Sequence, residues 1–222
     1  MRFLFTGQAD PVQAAVFLIG LRLKRETDAE NRGSLQAILD ATHHATAEVE
    51  ELIDLADPYD GFTRSLPIAP FLPAVLAACG LPAVSHGVDH VGPKFGTTHR
   101  HVLAAAGIPV DLSPAEAASR VADPRIGWSY VDQAQFCPPL HALIDLRGRM
   151  IKRSVLTTAE VLAQPIRGRE RTHFCTGYVH KPYPPVYLAL ARQAGFDTAL
   201  AVRGIEGGIL PDRKSTRLNS SH

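Results

Sequence analysis

The first fifty residues show the hydrophobic spacing of amphipathic helices. Apolar side chains recur every three or four positions across residues 12–23 and mark one face of a helix. Asp10 and Gln13 form a capping-box pattern at the start of this helix, and Thr27 and Glu30 form a second such pattern ahead of another helix. The pattern therefore predicts a small helical domain over residues 1–50.

After residue 50, short apolar runs alternate with longer ones that have helical spacing. The short runs predict strands at residues 52–56, 81–84, 126–131, 172–179 and 198–202, and the longer ones predict helices at residues 67–78, 99–106 and 184–194 and one that starts at residue 113. This alternation is typical of an α/β fold with a largely parallel sheet and helices on both faces. We expect this domain to span residues 51–211, with its ligand site at the carboxyl ends of the strands.

The segment of residues 85–98 has the composition of an anion-binding loop between a strand and a helix. Gly87 and Gly96 let the backbone come close to a ligand, and the start of the following helix offers free N–H groups and partial positive charge. Lys94 adds a charge, while Thr97 and Thr98 add hydroxyl donors. An ordinary turn with exposed polar residues fits the same spacing, so the residues alone leave both interpretations open.

The same loop resembles the His-Gly-Asn and Ser-Lys-Ser-Gly-Ser segment of the anthranilate phosphoribosyltransferases, in glycosyltransferase family 3. His86-Gly87 and residues 94–97 match it, and Gly107 falls where the family's next helix ends. Four further segments resemble the family in the correct order: residues 13–27, residues 111–116, residues 139–147 with Arg153, and residues 199–207. The resemblance implies a fold of the phosphoribosyltransferase and nucleoside phosphorylase type, and a homodimer formed through the helical domain. It also implies transfer of a pentosyl or phosphoribosyl group from an activated sugar phosphate to a small acceptor.

The resemblance also implies two groups of site residues. The phosphate and sugar would contact Asp60, Gly61, His86, Gly87, Lys94, Gly96, Thr97 and Thr98, and the acceptor would contact His141 and Arg147. Taken alone, Arg147 also fits a solvated helix face beside Asp145, and His141 fits a structural position. Mg²⁺ bound with phosphoribosyl pyrophosphate is the implied cofactor, whereas we expect no metal site built from the protein's histidines.

The chain departs from the family at two places. Where the family has a glycine-rich Gly-Thr-Gly-Gly-Asp loop for pyrophosphate, residues 56–61 read Ala-Asp-Pro-Tyr-Asp-Gly. Pro58 has no N–H to donate, and Tyr59 would crowd a close backbone approach. Residues 207–210 read Gly-Gly-Ile-Leu in place of the family's Asp-Glu magnesium pair. These departures indicate a divergent branch, and they keep open an alternative function as a non-catalytic relative that binds nucleic-acid phosphates.

Composition narrows the choice of partners. The chain has 23 Lys and Arg against 22 Asp and Glu, for a net charge of +1, so it lacks the basic surplus of a domain built around nucleic acid. Its expected partner is therefore an anionic small molecule or a local contact with nucleic-acid phosphate. Three scattered cysteines fit a reducing cytoplasm, and no apolar run is long enough for a membrane span.

The last residues fit no element of the predicted fold. Residues 212–222, Asp-Arg-Lys-Ser-Thr-Arg-Leu-Asn-Ser-Ser-His, read as translated sequencing adapter and are left out of the fold prediction. Residues 1–6 resemble the end of the family's first helix. We therefore expect a fragment of a longer protein.

Overall fold

Helices and strands alternate along residues 1–204, the part of the chain that this computed structural model describes. The helices are α1 (Arg2–Phe5), α2 (Pro11–Lys24), α3 (Asp28–Ala41), α4 (Leu72–Ala78), α5 (His99–Ala105), α6 (Pro114–Ala122), α7 (Gln133–Phe136), α8 (Pro138–His141), α9 (Ile144–Met150), α10 (Val155–Ala159) and α11 (Tyr183–Ala194). The strands are β1 (Ala45–Thr46), β2 (Glu51–Leu55), β3 (Ala83–Gly87), β4 (Trp128–Asp132), β5 (Ile166–Arg167), β6 (Arg171–Tyr178) and β7 (Thr198–Arg203). Single turns of 3₁₀ helix lie at Ala69–Phe71 and Glu160–Leu162.

The central sheet has five strands in the order β4-β3-β2-β6-β7, and every neighbouring pair is parallel. Its middle strand β2 aligns Asp54 with Val84 on one side and with Phe174 on the other. The predicted α/β fold with a small helical N-terminal part is confirmed. Because all five strands run the same way, their carboxyl ends meet at one edge, where parallel sheets bind ligands.

Both predicted capping boxes are present. The carboxylate of Asp10 accepts hydrogen bonds from the N–H groups of Val12 and Gln13, and the Gln13 side chain accepts one from the Asp10 N–H. Thr27 and Glu30 make the equivalent pair of contacts at the start of α3. Each cap satisfies N–H groups that the first helical turn leaves unpaired, which stabilises a helix by about 1 kcal/mol.

The N-terminal helices pack against a second helical stretch of the chain. Helix α9 packs on α2, whereas α8 and α10 pack on α3. Leucines from both stretches are fully buried in this contact, among them Leu18, Leu35, Leu140 and Leu156. The helical layer therefore includes residues 133–162, whose helices are too short to show a periodic pattern in the sequence. The domain boundaries at residues 50 and 211 stay predictions.

Strand β3 is longer than the hydrophobic pattern predicted. The expected strand ended at residue 84, yet Ser85, His86 and Gly87 continue it and are buried. They pair in register with β4, where His86 is opposite Val131. The polar side chains and the glycine suggested a loop, but the ladder of the parallel sheet continues through them.

None of the helices within residues 1–204 is long and apolar enough to cross a membrane. The expectations for residues 207–210 and for the tail at residues 212–222 lie outside the described residues.

Candidate functional site

A cleft of about 650 Å³ opens at the carboxyl edge of the sheet. Leu55 of β2, Thr176 of β6 and Arg203 of β7 border its floor, and Arg22 near the end of α2 borders its rim. Ligand sites of small-molecule proteins have volumes of roughly 300–1,000 Å³. The cleft thus has the size and the place expected of a substrate site in a parallel α/β fold.

One end of the cleft holds a buried carboxylate between two cations, and we call Asp60, Lys94 and Arg153 the cation corner. Asp60 is 1% exposed, and its Oδ2 accepts from Arg153 Nε at 2.9 Å and lies 2.7 Å from Arg153 Nη2. Lys94 Nζ lies 4.0 Å from Asp60 Oδ1. Both cations line the cleft, and their N–H groups are of the kind that bind a phosphate or a carboxylate.

Another part of the lining is apolar, and we call Ile68, Phe71, Leu72 and Val75 the apolar wall. These side chains line the cleft although they are large hydrophobic groups, with exposures from 39% for Phe71 to 67% for Ile68. The cleft therefore combines a charged end with a wall that fits the flat or apolar part of a small molecule.

The loop glycines predicted to cradle a phosphate serve a different purpose. Residues 57–62 and the loop before α5 clasp each other, with Phe62 and Thr97 exchanging two backbone hydrogen bonds of 2.9 Å. The Gly96 N–H donates to the Asp60 carbonyl at 2.9 Å. A Cβ on Gly61 would lie 2.6 Å from the Gly96 backbone carbon. The N–H groups of Gly96 and Thr97 are thus used by the protein itself, and contact of these two residues with phosphate stays a prediction.

Thr98 is likewise engaged within the loop. Its hydroxyl donates to the Asp89 carbonyl at 3.1 Å and accepts from the His101 N–H at 3.3 Å. It caps α5 and is 4% exposed. This hydroxyl stabilises the helix start and does not face the cleft.

His86 lies in a buried network below the cleft. Its Nε2 is 2.8 Å from Asp54 Oδ1, and its Nδ1 is hydrogen-bonded to the Tyr59 hydroxyl, which also lies 3.1 Å from the Glu160 carbonyl oxygen. Burial, followed by the charge of the Glu160 carboxylate, raises the pKa of Tyr59 well above its ordinary value, so the phenol stays protonated. His86 and its neighbour Gly87 border only a separate cavity of about 10 Å³, which has room for no more than one water. Neither residue lines the cleft, so this geometry does not support the predicted contact with the sugar phosphate.

Arg147 is buried and neutralised inside the protein. Its two terminal nitrogens donate to the two carboxylate oxygens of Glu160 at 2.6 Å each, and Gln133 donates to the same carboxylate at 3.1 Å. Arg147 is 3% exposed and Glu160 is fully buried. Neither the predicted acceptor contact nor the solvated helix face fits this geometry. His141, which ends the neighbouring helix α8, does not line the cleft either.

The structure adds site residues that were not predicted as ligands. His99 Nε2 lies 3.1 Å from Asp57 Oδ2, and the imidazole stacks on Phe62 with 6.4 Å between the ring centres. His99 and Asp57 both line the cleft, as does Ser154, which follows Arg153. The sequence predicted no ligand role for His99, and the described residues contain no cluster able to hold a metal.

Cys175, within β6, also lines the cleft. Burial raises the pKa of its thiol to about 11, and the carboxylates of Asp57 and Asp54 act in the same direction. The thiol is therefore protonated at neutral pH, whereas a cysteine has to be a thiolate to act as a nucleophile.

Comparison with known proteins places these features in context. Residues 1–42 match the helical bundle domain of the glycosyl transferase family. An uncharacterised protein of Aquifex aeolicus is 27% identical over 214 residues, which cover 96% of this chain and 63% of that protein. An anthranilate phosphoribosyltransferase of Saccharopolyspora erythraea is 34% identical over 131 residues, which cover 59% of this chain and 36% of the enzyme. The chain thus spans between about a third and two thirds of these relatives.

Solved structures show the same fold. The anthranilate phosphoribosyltransferase of Thermus thermophilus superimposes with a TM-score of 0.76 at 19% identity, covering 99% of this chain and 67% of the enzyme. The Saccharomyces cerevisiae enzyme in complex with phosphoribosyl pyrophosphate and Mg superimposes with a TM-score of 0.70 at 14% identity, covering 94% of this chain and 60% of the enzyme. At these identities the likeness concerns the fold, and it agrees with the helical and sheet elements described above.

Proposed function

We propose that this chain is a transferase. The proposal proceeds from its likeness to the anthranilate phosphoribosyltransferases of glycosyltransferase family 3. It would move a pentosyl or phosphoribosyl group from an activated sugar phosphate to a small acceptor. The observation that carries the proposal is the cleft at the carboxyl edge of the sheet, whose lining includes both the cation corner and the apolar wall. A phosphorylated donor and an apolar acceptor need these two kinds of surface side by side.

Within this proposal the chain's own residues act by position and charge. Lys94 and Arg153 hold the phosphate-bearing donor, and Asp60 fixes their direction. The apolar wall holds the acceptor, so that the two reactants meet in one orientation. Positive charge near a departing phosphate lowers the barrier because negative charge develops there in the transition state.

Mg²⁺ would come with the donor and not from a protein site. Asp57 pairs with His99, and Asp60 pairs with Arg153 through Oδ2, while Oδ1 of Asp60 makes no hydrogen bond among the described residues. The described residues contain no cluster of side chains that could hold a resident magnesium ion, and no step is assigned to one. Mg²⁺ belongs in the assay because phosphates usually bring it with them.

The acceptor is not expected to be recognised by Arg147. The carboxylate of Glu160 satisfies that guanidinium internally, as an acidic acceptor would otherwise do. We therefore favour an acceptor held by apolar contacts over anthranilate itself.

We also propose a cytoplasmic homodimer. The exposed apolar face of α2, with Val12 71% and Val16 67% exposed, supports a contact with a second copy. The free thiols of Cys79, Cys137 and Cys175 support a reducing compartment.

The test is a transfer assay with this chain, phosphoribosyl pyrophosphate and Mg²⁺, and a panel of neutral and acidic aromatic acceptors, read out as pyrophosphate release. We expect acceptor-dependent release that is lost in Lys94→Ala. The matched control is Arg169→Ala, because Arg169 lies outside the cleft in an exposed pair with Glu48. If none of the acceptors in the panel gives pyrophosphate release, and the chain binds an oligonucleotide with an affinity that falls steeply with salt, the result instead supports the nucleic-acid alternative.

A further inference from the structure

One buried carboxylate oxygen of the cleft makes no hydrogen bond among the described residues. Asp60 is 1% exposed and lines the cleft, and its Oδ2 is held by Arg153. Its Oδ1 has no partner, since Lys94 Nζ stays 4.0 Å away, beyond hydrogen-bond distance. Buried polar groups are nearly always hydrogen-bonded in folded proteins. Because a carboxylate oxygen accepts hydrogen bonds, Oδ1 indicates an N–H or O–H group on a ligand of the cleft.

A second buried polar group is unpartnered close to the first. Ser154 follows Arg153, lines the cleft and is 6% exposed, and its Oγ makes no hydrogen bond among the described residues. It directly precedes α10, yet its side chain does not cap that helix. A hydroxyl accepts as well as donates, so it suits the same ligand group as Asp60 Oδ1.

The segment that forms the apolar wall carries no charge over a long distance. Residues 65–88 contain no Asp, Glu, Lys or Arg, and they supply all four side chains of the apolar wall. Leu66 and Leu81 of the same segment are also exposed, at 73% and 43%. Extended apolar surface of this kind marks a binding site. It fits the apolar body of a ligand whose head group reaches Asp60.

We infer that the acceptor is an uncharged molecule with an apolar body and an N–H or O–H group, which it donates to Asp60 Oδ1. Ser154 Oγ binds the same head group, and the apolar wall holds the body. A carboxylate or an ether in that place has no hydrogen to donate and would bury Oδ1 without a partner, which costs affinity. This inference deepens the proposed function and rests on it for the role of the ligand as acceptor.

Three probes that share one ring system and differ at the head group test the inference. They are 2-naphthol, which donates a hydrogen bond, and 2-methoxynaphthalene and 2-naphthoate, which do not. Binding to the 222-residue chain is followed by the naphthalene fluorescence. We expect 2-naphthol to bind about tenfold more tightly than either of the other two, because it alone makes a hydrogen bond to a charged group.

The variant Asp60→Asn should remove this preference. The N–H groups of Arg153 need an acceptor, so the amide oxygen takes the place of Oδ2 and the amide NH₂ takes that of Oδ1. The site then donates where it accepted, and 2-methoxynaphthalene and 2-naphthoate should bind at least as tightly as 2-naphthol. A merely structural role for Asp60 predicts instead that all three probes lose affinity by the same factor.

Two further variants test the other contacts. Ser154→Ala should weaken 2-naphthol more than 2-methoxynaphthalene, and Ser85→Ala is its matched control, because Ser85 is also a buried serine with an unpartnered hydroxyl but does not line the cleft. Val75→Ser should weaken all three probes by a similar factor, because it removes apolar contact from the body and leaves the head group alone.

The inference is overturned if no probe binds up to its solubility, or if the preference for 2-naphthol survives in Asp60→Asn. It is also overturned if the wild type shows no preference, which means that Lys94 satisfies Oδ1 in solution. A sedimentation coefficient that falls in Val75→Ser, without probe binding to the wild type, assigns the apolar wall to contact between copies of the chain and overturns it too.

Two outcomes separate this inference from the proposed function. A preference for 2-naphthol that depends on Asp60 supports the ligand class even when no acceptor yields transfer. Transfer to acidic acceptors by a wild type without this preference overturns the ligand class while the function stands.

Discussion

Replacing Arg147 by methionine tests whether this residue is structural. The substitution leaves the Glu160 carboxylate buried without its two hydrogen bonds of 2.6 Å. Removing one partner of a buried ion pair costs about 3–5 kcal/mol, because the remaining charge has lost both its solvent and its partner. For a chain of this size the melting temperature should fall by roughly 10 °C.

The double variant Arg147→Met, Glu160→Met separates the cost of the unpaired buried charge from the other losses. With both charges gone the desolvation penalty disappears, and the loss should shrink to about 1–3 kcal/mol, the cost of leaving the Gln133 amide without its acceptor. The assay is urea unfolding followed by circular dichroism, with Arg169→Met as an exposed control that should change little. A loss below about 1 kcal/mol for Arg147→Met alone would refute the buried pair and return Arg147 to the list of possible ligand contacts.

Three other predictions follow from the packing and the electrostatics. Gly96→Ala should destabilise the chain, because the added Cβ would lie 2.6 Å from the Phe62 nitrogen. The control Gly33→Ala in α3, where nothing lies within 4 Å of the added Cβ, should stabilise the chain by up to about 1 kcal/mol. Equal effects of the two substitutions in thermal melts would contradict this packing. Cys175 should react slowly with iodoacetamide at pH 8 and faster as the pH rises toward 11. Because its folded pKa lies above the ordinary 9.0, the stability it contributes is present below pH 9 and is lost between pH 9 and 11, and a stability curve that Cys175→Ala leaves unchanged in this range would argue against it. Val16→Asp should convert a dimer to a monomer in analytical ultracentrifugation, and an unchanged sedimentation coefficient would exclude α2 as the contact.

The fold could be predicted largely from local pattern. Helices α2 and α3 have caps and a regular apolar face, strand β7 is largely apolar, and strand β6 alternates buried and less buried positions. Helices α7 to α10 were missed because four to seven residues are too few to show a helical period. They form by packing against α2 and α3, which are far away in sequence.

The site was predictable only in part. Asp60, Gly61 and Lys94 line the cleft. They could be predicted because the resemblance located two loops at the carboxyl edge of the sheet. Arg147 could not be placed, since its partner Glu160 reaches it only after the helices between them have folded. His86 was misplaced because a Ser-His-Gly segment reads as a loop, although the sheet buries it.

The most direct test of the account is a calorimetric titration of phosphoribosyl pyrophosphate with Mg²⁺ into this chain. We predict saturable binding in the wild type and in Arg169→Ala, and its loss in Lys94→Ala and Arg153→Ala, because the last two variants remove the charges of the cation corner. The absence of saturable binding at millimolar ligand, or binding that both cation-corner variants retain, would contradict the proposal that this cleft holds an activated sugar phosphate.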